Sequence, residues 1–257
     1  MKLLSFLLVA GAFSQTSFAA PCPYPTFTAD KDVSITGDDV LIVTHPATIW
    51  DWQFSAKNGV DNAVEFARKK NIPVIYLQDS YDGNSNKYFW NDCRPDYFVK
   101  SSGGEFSFKV PAKHVYSVGG HWEACQRTTL DDLMTAWADR EGEDLTVTEV
   151  LDGIYAYSSY VTSFDSYYNA FQEFKRILQY PSQRNDIRIN LYQSKLLIND
   201  EAKLIEYLSR NLPSMYGKLA KHRAEMHYNG KLVKVIRDGE GTKPGLLKLE
   251  FIDSLYQ

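Results

Sequence analysis

Four short, mostly apolar segments recur through the central part of the chain, and two amphipathic segments lie between them. The apolar segments have the composition of strands covered on both faces, and they are residues 39–45, 72–80, 114–120 and 144–155. In residues 59–71 and again in 124–142, apolar side chains recur at helical spacing. Strands that alternate with helices predict an α/β fold whose sheet is mainly parallel and carries helices on both faces.

The remaining segments have less regular patterns. Residues 81–114 are polar and aromatic, which indicates a long connection, with a functional loop or lid as the alternative. An aromatic helix is predicted over 163–179. After Pro181 the pattern predicts a small α+β appendage that contains a helix, an Asn229–Gly230 hairpin turn and a last strand. The pattern leaves open whether this appendage packs on the main sheet or stands apart from it.

The N-terminus has the pattern of a secretory signal peptide. One lysine precedes an apolar run from Leu3 to Phe13, and small residues at Ser17 and Ala19 suit cleavage after Ala19. No later segment approaches the roughly 18 consecutive apolar residues that a membrane helix needs. We therefore predict an exported protein, most simply periplasmic, without a membrane span. The predicted units are 1–19 (signal peptide), 20–180 (α/β domain) and 181–257 (C-terminal extension).

Charge and composition narrow the range of partners. The chain has 28 basic and 32 acidic residues, and removal of Lys2 with the signal peptide leaves a net charge of −5. Nucleic-acid binding favours a clustered basic face, so this balance argues against such a partner. A small molecule is the predicted partner, and the sequence leaves homo-oligomer formation open.

Three cysteines in an oxidising compartment leave one without a disulfide partner within the chain. Cys22 and Cys93 lie in irregular, proline-flanked sequence, which suits a structural bridge and leaves Cys125 as a thiol. A bridge between Cys93 and Cys125 is the competing arrangement, and the sequence does not decide between the two.

Cys125 lies where a predicted strand gives way to a predicted helix. The N–H groups at a helix N-terminus favour an anion, so a thiol there loses its proton more readily than a free side chain does. Cysteine is also among the residues that are most often simply buried. Both a reactive and a packing role are therefore consistent with this position.

Three segments, in their order along the chain, resemble the isochorismatase-like cysteine hydrolases, a family that includes nicotinamidases. They are "VLIVTHP", "AVEFARKKNIPVIYLQDS" and "SVGGHWEACQRTTLDDL". In the third, a glycine precedes the cysteine by six residues and a threonine follows it by four, as Gly119, Cys125 and Thr129 do here. Asp132 also falls where the family often has an aspartate. The resemblance covers residues 38–157.

The resemblance implies a site and also shows where this chain departs from the family. Cys125 takes the position of the nucleophile, and His45 stands where the family usually has an aspartate base. Lys100 is the nearest match to the family's lysine. The usual set of metal-binding Asp and His residues is not evident, so neither a metal nor another cofactor is predicted. The residues expected to contact substrate are Trp122, His121 and Trp90.

Two functions are consistent with this sequence. The first is a secreted cysteine hydrolase that cleaves a small amide or a related C–N bond, using Cys125, His45 and Lys100. The alternative is a non-catalytic periplasmic binding or structural protein that keeps a degenerate version of the fold. Rapid alkylation of Cys125 at about pH 6 distinguishes an activated thiolate from an ordinary cysteine.

Overall fold

A computed structural model describes residues 26–45, 57–78, 95–120, 122, 124–140, 142–154, 201–210, 212, 221–239 and 243–256. The elements are β1 (Asp39–Thr44), α1 (Lys57–Lys69), β2 (Val74–Gln78), β3 (Tyr97–Lys100), β4 (His114–Gly119), α2 (Cys125–Ala138), β5 (Leu145–Val150), α3 (Glu201–Arg210), β6 (Arg223–Tyr228), β7 (Lys231–Asp238) and β8 (Leu246–Ile252). Short 3₁₀ turns lie at Asp30–Asp32 and Leu151–Gly153.

The described strands form one eight-stranded sheet in the order β3-β2-β1-β4-β5-β8-β6-β7. Every neighbouring pair is parallel except β6 and β7, which form an antiparallel hairpin. The prediction of an α/β fold with a mainly parallel sheet is therefore confirmed.

Helices cover both faces of the sheet, as the two-sided apolar strands predicted. On one face α1 packs on the strands through residues Val60, Ala63, Val64 and Ala67. On the other face α2 and α3 form the core with the inward side chains of the strands, and their buried apolar residues are Leu130, Leu133, Met134, Trp137, Leu204 and Leu208. We call these the α1 face and the α2 face.

One predicted helix ends earlier than the sequence indicated. Helix α2 stops at Ala138, and the Arg140 guanidinium donates to the carbonyls of Val110 and Ala112, each at 3.0 Å. Strand β5 covers Leu145–Val150, and the rest of the segment 144–155 leaves the sheet in a loop, as predicted. This loop contacts α1, where a Cβ on Gly59 would lie 2.2 Å from the backbone of Asp152.

Strand β3 lies inside the segment that was predicted to be a long connection. Its four residues are too few to show a period, which explains why the pattern missed it. The carboxylate of Asp96 accepts hydrogen bonds from the backbone N–H of Val74 and from Arg68, both at 2.7 Å. An isolated bridge between Thr28 and Val99 extends this side of the sheet.

The C-terminal strands belong to the main sheet. Strand β8 pairs with β5 on one side and with β6 on the other. The predicted hairpin turn is present, and Asn229 (φ 45°) and Gly230 (φ 79°) both have the positive φ of a type I′ turn. Of the two arrangements left open by the sequence, these strands adopt the one joined to the sheet.

Several predicted segments lie outside the described residues. They are the signal peptide (1–19), the aromatic helix (163–179), and the limit between the predicted units at residue 180. Within the described part of the chain, none of the helices has the length and apolar character needed to cross a membrane.

Candidate active site at the carboxyl edge of the sheet

Strands β1 and β4 bring His45 and Cys125 to the same edge of the sheet. The two strands are parallel neighbours, and Thr44 is paired with Gly119 at their carboxyl ends. His45 follows β1 directly, and the chain from β4 reaches Cys125 after a short turn. Ligand sites of open α/β sheets lie at this edge. The predicted parallel arrangement of these two strands is confirmed.

A pair of glycines lets the chain leave β4 in close contact with β1. Gly119 and Gly120 have φ values of 83° and 62°, which non-glycine residues rarely adopt. A Cβ on Gly119 would lie 2.1 Å from the carbonyl oxygen of Thr44, and one on Gly120 would lie 3.4 Å from the Cβ of Cys125. Side chains at these two positions would separate β1 from the start of α2.

Cys125 is the first residue of α2 and is a half-buried thiol. The N-cap residue, Ala124, has no side-chain acceptor for the N–H groups of the first turn. These N–H groups and the helix dipole favour a negative charge at this position. Cys22 and Cys93 lie outside the described residues, so their predicted bridge and the competing one to Cys125 stay predictions.

His45 has a left-handed backbone conformation at the end of β1. Its φ is 49°, a value that histidine, asparagine and aspartate adopt more readily than most residues do. Its backbone N–H donates to the carbonyl of Leu77 at 2.6 Å, and the side chain is half-buried. The conformation therefore ends the strand at His45 and directs the chain away from β1.

A hydrogen bond between two threonines joins the end of β1 to α2. The hydroxyls of Thr44 and Thr129 are 2.9 Å apart, and both side chains are buried. Thr129 lies one helical turn after Cys125 and is also within 2.8 Å of the carbonyl of Gly104. The residue before His45 is thereby attached to the first turn of the helix that begins with Cys125.

The loop of residues 101–106 packs against the start of α2. A Cβ on Gly104 would lie 2.2 Å from the carbonyl oxygen of Cys125, and Gly104 has a φ of 90°. At the end of the loop, the N–H of Phe106 donates to the carboxylate of Asp132 at 3.0 Å. Asp132, which matches the family pattern, therefore holds this loop beside Cys125.

Glu105 lies in this loop, and its carboxylate is near His45. The sequence pattern did not identify Glu105 as a site residue. Its oxygens accept hydrogen bonds from the backbone N–H groups of Ser102 (2.8 Å) and Gly103 (2.6 Å). Partial burial raises the pKa of Glu105, but these bonds and the attraction of His45 outweigh it and hold the pKa below its usual value. The "SSGGEF" stretch was the available signal, because two glycines beside an acid are typical of a tight, functional loop.

Lys100 lies at the same edge of the sheet, two strands from β1. It ends β3, and β2 separates β3 from β1. Neighbouring strands are about 4.8 Å apart, so the ends of β3 and β1 are about 10 Å apart. The Lys100 side chain is exposed to solvent.

Of the three residues expected to contact substrate, the structure describes Trp122. Trp122 is only 1 % exposed and packs edge-on against Phe251, with 5.3 Å between ring centroids. Its indole N–H has no hydrogen-bond partner among the described residues. Trp122 therefore packs in the core of the α2 face. His121 and Trp90 lie outside the described residues.

Taken together, the described edge holds a thiol at a helix N-terminus, an imidazole at the end of the adjacent strand and a carboxylate near that imidazole. This set of groups is suited to nucleophilic attack by a thiolate, with the imidazole transferring protons. The described residues contain no group of three or more His, Cys, Asp and Glu side chains that could hold a metal ion.

No family model matches the sequence, and no curated protein is significantly similar to it. Among solved structures, the chain is similar to an isochorismatase family protein from Desulfovibrio vulgaris, with 9 % identity, 55 % of this chain and 90 % of the other covered, and a TM-score of 0.36. It is also similar to a nicotinamidase from Staphylococcus aureus (12 % identity, 55 % and 93 % covered, TM-score 0.35). A third is the YcaC gene product of Escherichia coli, described as an octameric hydrolase of unknown specificity (15 % identity, 71 % and 92 % covered, TM-score 0.35). Because the identities and TM-scores are low, the assignment of the fold class rests on the order and direction of the strands.

Proposed function

We propose that this protein is a cysteine hydrolase that cleaves a small amide or a related C–N bond. The observation that carries the proposal is the register of β1 and β4, which are parallel and paired at Thr44 and Gly119. This register brings His45 to the edge of the sheet where α2 begins with Cys125. The hydrogen bond between Thr44 and Thr129 supports it, because it attaches the end of β1 to that helix.

The proposed reaction uses two residues for covalent chemistry. His45 accepts the thiol proton, and the Cys125 thiolate attacks the carbonyl carbon to give a tetrahedral intermediate. The N–H groups of the first turn of α2 stabilise its oxyanion. The C–N bond then breaks as His45 returns the proton to the leaving nitrogen. Water, deprotonated by His45, hydrolyses the thioester to a carboxylic acid and restores the thiol.

Two charged residues have supporting roles in the proposal. Glu105 stabilises the imidazolium form of His45, because a carboxylate near the ring favours its positive charge. Lys100, at the end of β3, assists electrostatically from a greater distance. Trp122, His121 and Trp90 are the proposed substrate contacts.

The nucleophile is tested with Cys125→Ser in the protein without residues 1–19, assayed against a panel of small primary amides. We expect the rate to fall by several powers of ten relative to wild type. Alkylation of the wild-type thiol by iodoacetamide at about pH 6, followed by peptide mapping, should be faster at folded Cys125 than in urea. Cys125→Ser activity equal to that of wild type would remove the mechanism.

The base is tested with two substitutions that both tolerate a left-handed backbone. His45→Asn removes the base, whereas His45→Asp supplies the carboxylate that the resembled family usually has. We expect His45→Asn to lose about a hundredfold or more in rate and His45→Asp to keep measurable activity. Equal activity of both variants and wild type would exclude His45 from proton transfer.

A specific observation favours a second candidate, a non-catalytic binding or structural protein. Lys100 is exposed at the end of β3, two strands from β1, and Trp122 is 1 % exposed in the core, which leaves little of its side chain open to a substrate. Cys125 that is alkylated no faster in the folded protein than in urea, with no amide hydrolysed, would support this candidate.

The setting of the protein is also part of the proposal. The pattern of residues 1–19 supports export to a periplasm, after which a small molecule is the expected substrate and self-association is left open. Mass spectrometry of the exported protein would test cleavage after Ala19.

A further inference from the structure

A carboxyl group is buried under α2, close to the candidate site. Glu149 lies in β5, is completely buried and faces the core of the α2 face. Its direct neighbours across the sheet are Ser117 in β4 and Phe251 in β8. Burial of an ionised carboxylate is costly, and an apolar residue would fill such a position more favourably. The position therefore calls for an explanation beyond packing.

The side chain of Gln126 reaches down from the first turn of α2 to this carboxyl group. Its Nε2 group donates to Oε2 of Glu149 at 2.6 Å and also to the hydroxyl of Ser117. Gln126 is itself completely buried. Both N–H bonds of one amide are thus used to attach the start of α2 to two neighbouring strands.

The side-chain oxygen atoms of Gln126 and Glu149 that take no part in these bonds indicate whether the protonated or the ionised form of Glu149 fits this position. Oε1 of Gln126 and Oε1 of Glu149 are both buried, and neither has a hydrogen-bond partner among the described residues. A protonated Glu149 supplies a donor where the ionised form has only acceptors. Burial raises the pKa of Glu149 to about 8, against the opposing hydrogen bonds from Gln126 and Ser117, so the neutral acid predominates at pH 7.

We infer that Gln126 is a positioning residue for Cys125, acting with Ser117 and the buried Glu149. The inference rests on the proposed function, because it assigns these residues to the orientation of the proposed nucleophile. Gln126 follows Cys125 in the chain. A Cβ on Gly120 would lie 3.0 Å from the backbone nitrogen of Gln126, so the turn after β4 is close to this residue. The attachment of Gln126 to β4 and β5 therefore fixes the first turn of α2, and with it the thiol.

Among the described residues, the groups that pair with Glu149 or hydrogen-bond to it are uncharged. They are Ser117 from β4, Phe251 from β8 and Gln126 from α2. Cys125 precedes Gln126 in the chain and Arg127 follows it, and iodoacetamide reacts with the thiol of the two. A change in the pH profile of Cys125 in a Gln126 variant is therefore a direct readout of the attachment.

The test is the rate of Cys125 alkylation by iodoacetamide from about pH 5 to pH 9, followed by peptide mapping in folded variants. Gln126→Leu keeps the size of the side chain and removes the amide. We expect it to slow alkylation at about pH 6 by about tenfold and to move the profile to higher pH. Glu149→Gln, which keeps a neutral hydrogen-bonding group, should stay within about twofold of wild type, whereas Glu149→Leu should behave like Gln126→Leu.

A matched control removes a different buried hydrogen bond from the same strand. Thr148→Val loses the contact between Thr148 and the ring of His114 (2.7 Å), on the opposite face of β5, and should leave the alkylation rate unchanged. If Gln126→Leu does not fold, Ser117→Ala removes one of the two bonds and should slow alkylation by about threefold.

The outcomes separate this inference from the proposed function. A folded Gln126→Leu, or a folded Ser117→Ala, with the wild-type rate and profile overturns the positioning role, even if wild-type Cys125 is an activated nucleophile. Slow wild-type alkylation without hydrolysis removes the nucleophile, and a further slowing by Gln126→Leu would still show that the attachment orients the thiol.

Discussion

The two halves of the sheet bury glutamates in different ways. At the start of α2, Glu149 is completely buried with an amide and a hydroxyl as its partners, and burial raises its pKa to about 8. In the β6–β8 region Glu225 is only 6 % exposed, but it pairs with His227 at 3.0 Å and with Arg223. The hydrogen bond from His227 lowers the pKa of Glu225 and outweighs the effect of burial. One carboxyl group is held neutral, and the other is held charged.

The same contrast applies to the glycines of the two regions. Gly119 (φ 83°) and Gly230 (φ 79°) have nearly the same backbone conformation. A Cβ would lie 2.1 Å from a backbone oxygen at Gly119, whereas at Gly230 it would meet nothing within 4 Å. At the carboxyl edge of β1 and β4 the two backbones are in close contact, whereas the turn of the β6–β7 hairpin leaves space for a side chain. We therefore expect substitutions to have much larger effects at the first region.

The largest effect is expected for Gly119→Ala. Alanine is unfavourable at the φ of Gly119, and its Cβ would also collide with the carbonyl oxygen of Thr44. That oxygen cannot move unless strand β1 moves with it. We expect the free energy of unfolding to fall by at least about 3 kcal/mol, measured by urea denaturation. Gly230→Ala is the matched control, and its cost should be about 1 kcal/mol, from the φ angle alone. Equal losses in the two variants would contradict the contrast.

A smaller effect per pH unit is expected for the dependence of stability on pH at Glu149. Its pKa is raised from 4.5 when unfolded to about 8 when folded, so between these values the folded protein holds the extra proton. The wild-type free energy of unfolding should therefore fall as pH rises through this window, by up to about 1.4 kcal/mol per pH unit. Glu149→Gln should lose this slope. Urea denaturation at several pH values measures this slope. An unchanged slope in Glu149→Gln would mean that Glu149 is not the source of the pH dependence.

The smallest effect is expected for Glu225→Gln, and it lies on the acid side. Because the pKa of Glu225 is lowered on folding, its contribution is present above about pH 4.5 and is lost as pH falls through the folded value. The variant should therefore lose less stability than wild type on acidification. We expect a difference below about 1 kcal/mol, since the Arg223 partner is 61 % exposed and screened by solvent. A larger loss in the variant than in wild type on acidification would reverse the assignment.

The sequence predicted the fold well where burial sets a simple pattern. Strand β1 and strand β4 are continuous apolar runs, and the structure places both ends within a residue of the prediction. The Asn229–Gly230 turn was predictable because few residue pairs adopt two positive φ angles in succession. Strand β3 was missed because four residues carry too little periodicity.

The candidate site was only partly predictable. The strand–turn–helix pattern located Cys125 and His45 at one edge, because parallel strands share a carboxyl edge. Lys100 was taken from the family resemblance alone, and the pattern did not reveal that it ends a strand, β3, which β2 separates from β1. Glu149 and Gln126 were not predicted at all, since polar residues in "TVTEV" and "CQRT" favour exposed positions. Only the tertiary structure shows that both side chains are buried between α2 and the sheet.

The position of β8 has a consequence for the order of biosynthesis. Strands β6 and β7 precede β8 along the chain, yet β8 lies between β5 and β6 in the sheet. During translation the hairpin therefore emerges before the strand that attaches it to the sheet. Until residues 246–252 leave the ribosome, β5 has an open edge on that side. Completion of the sheet must wait for a segment that is made after all the other described strands, which gives any cellular factor that recognises unpaired strands a defined interval in which to act.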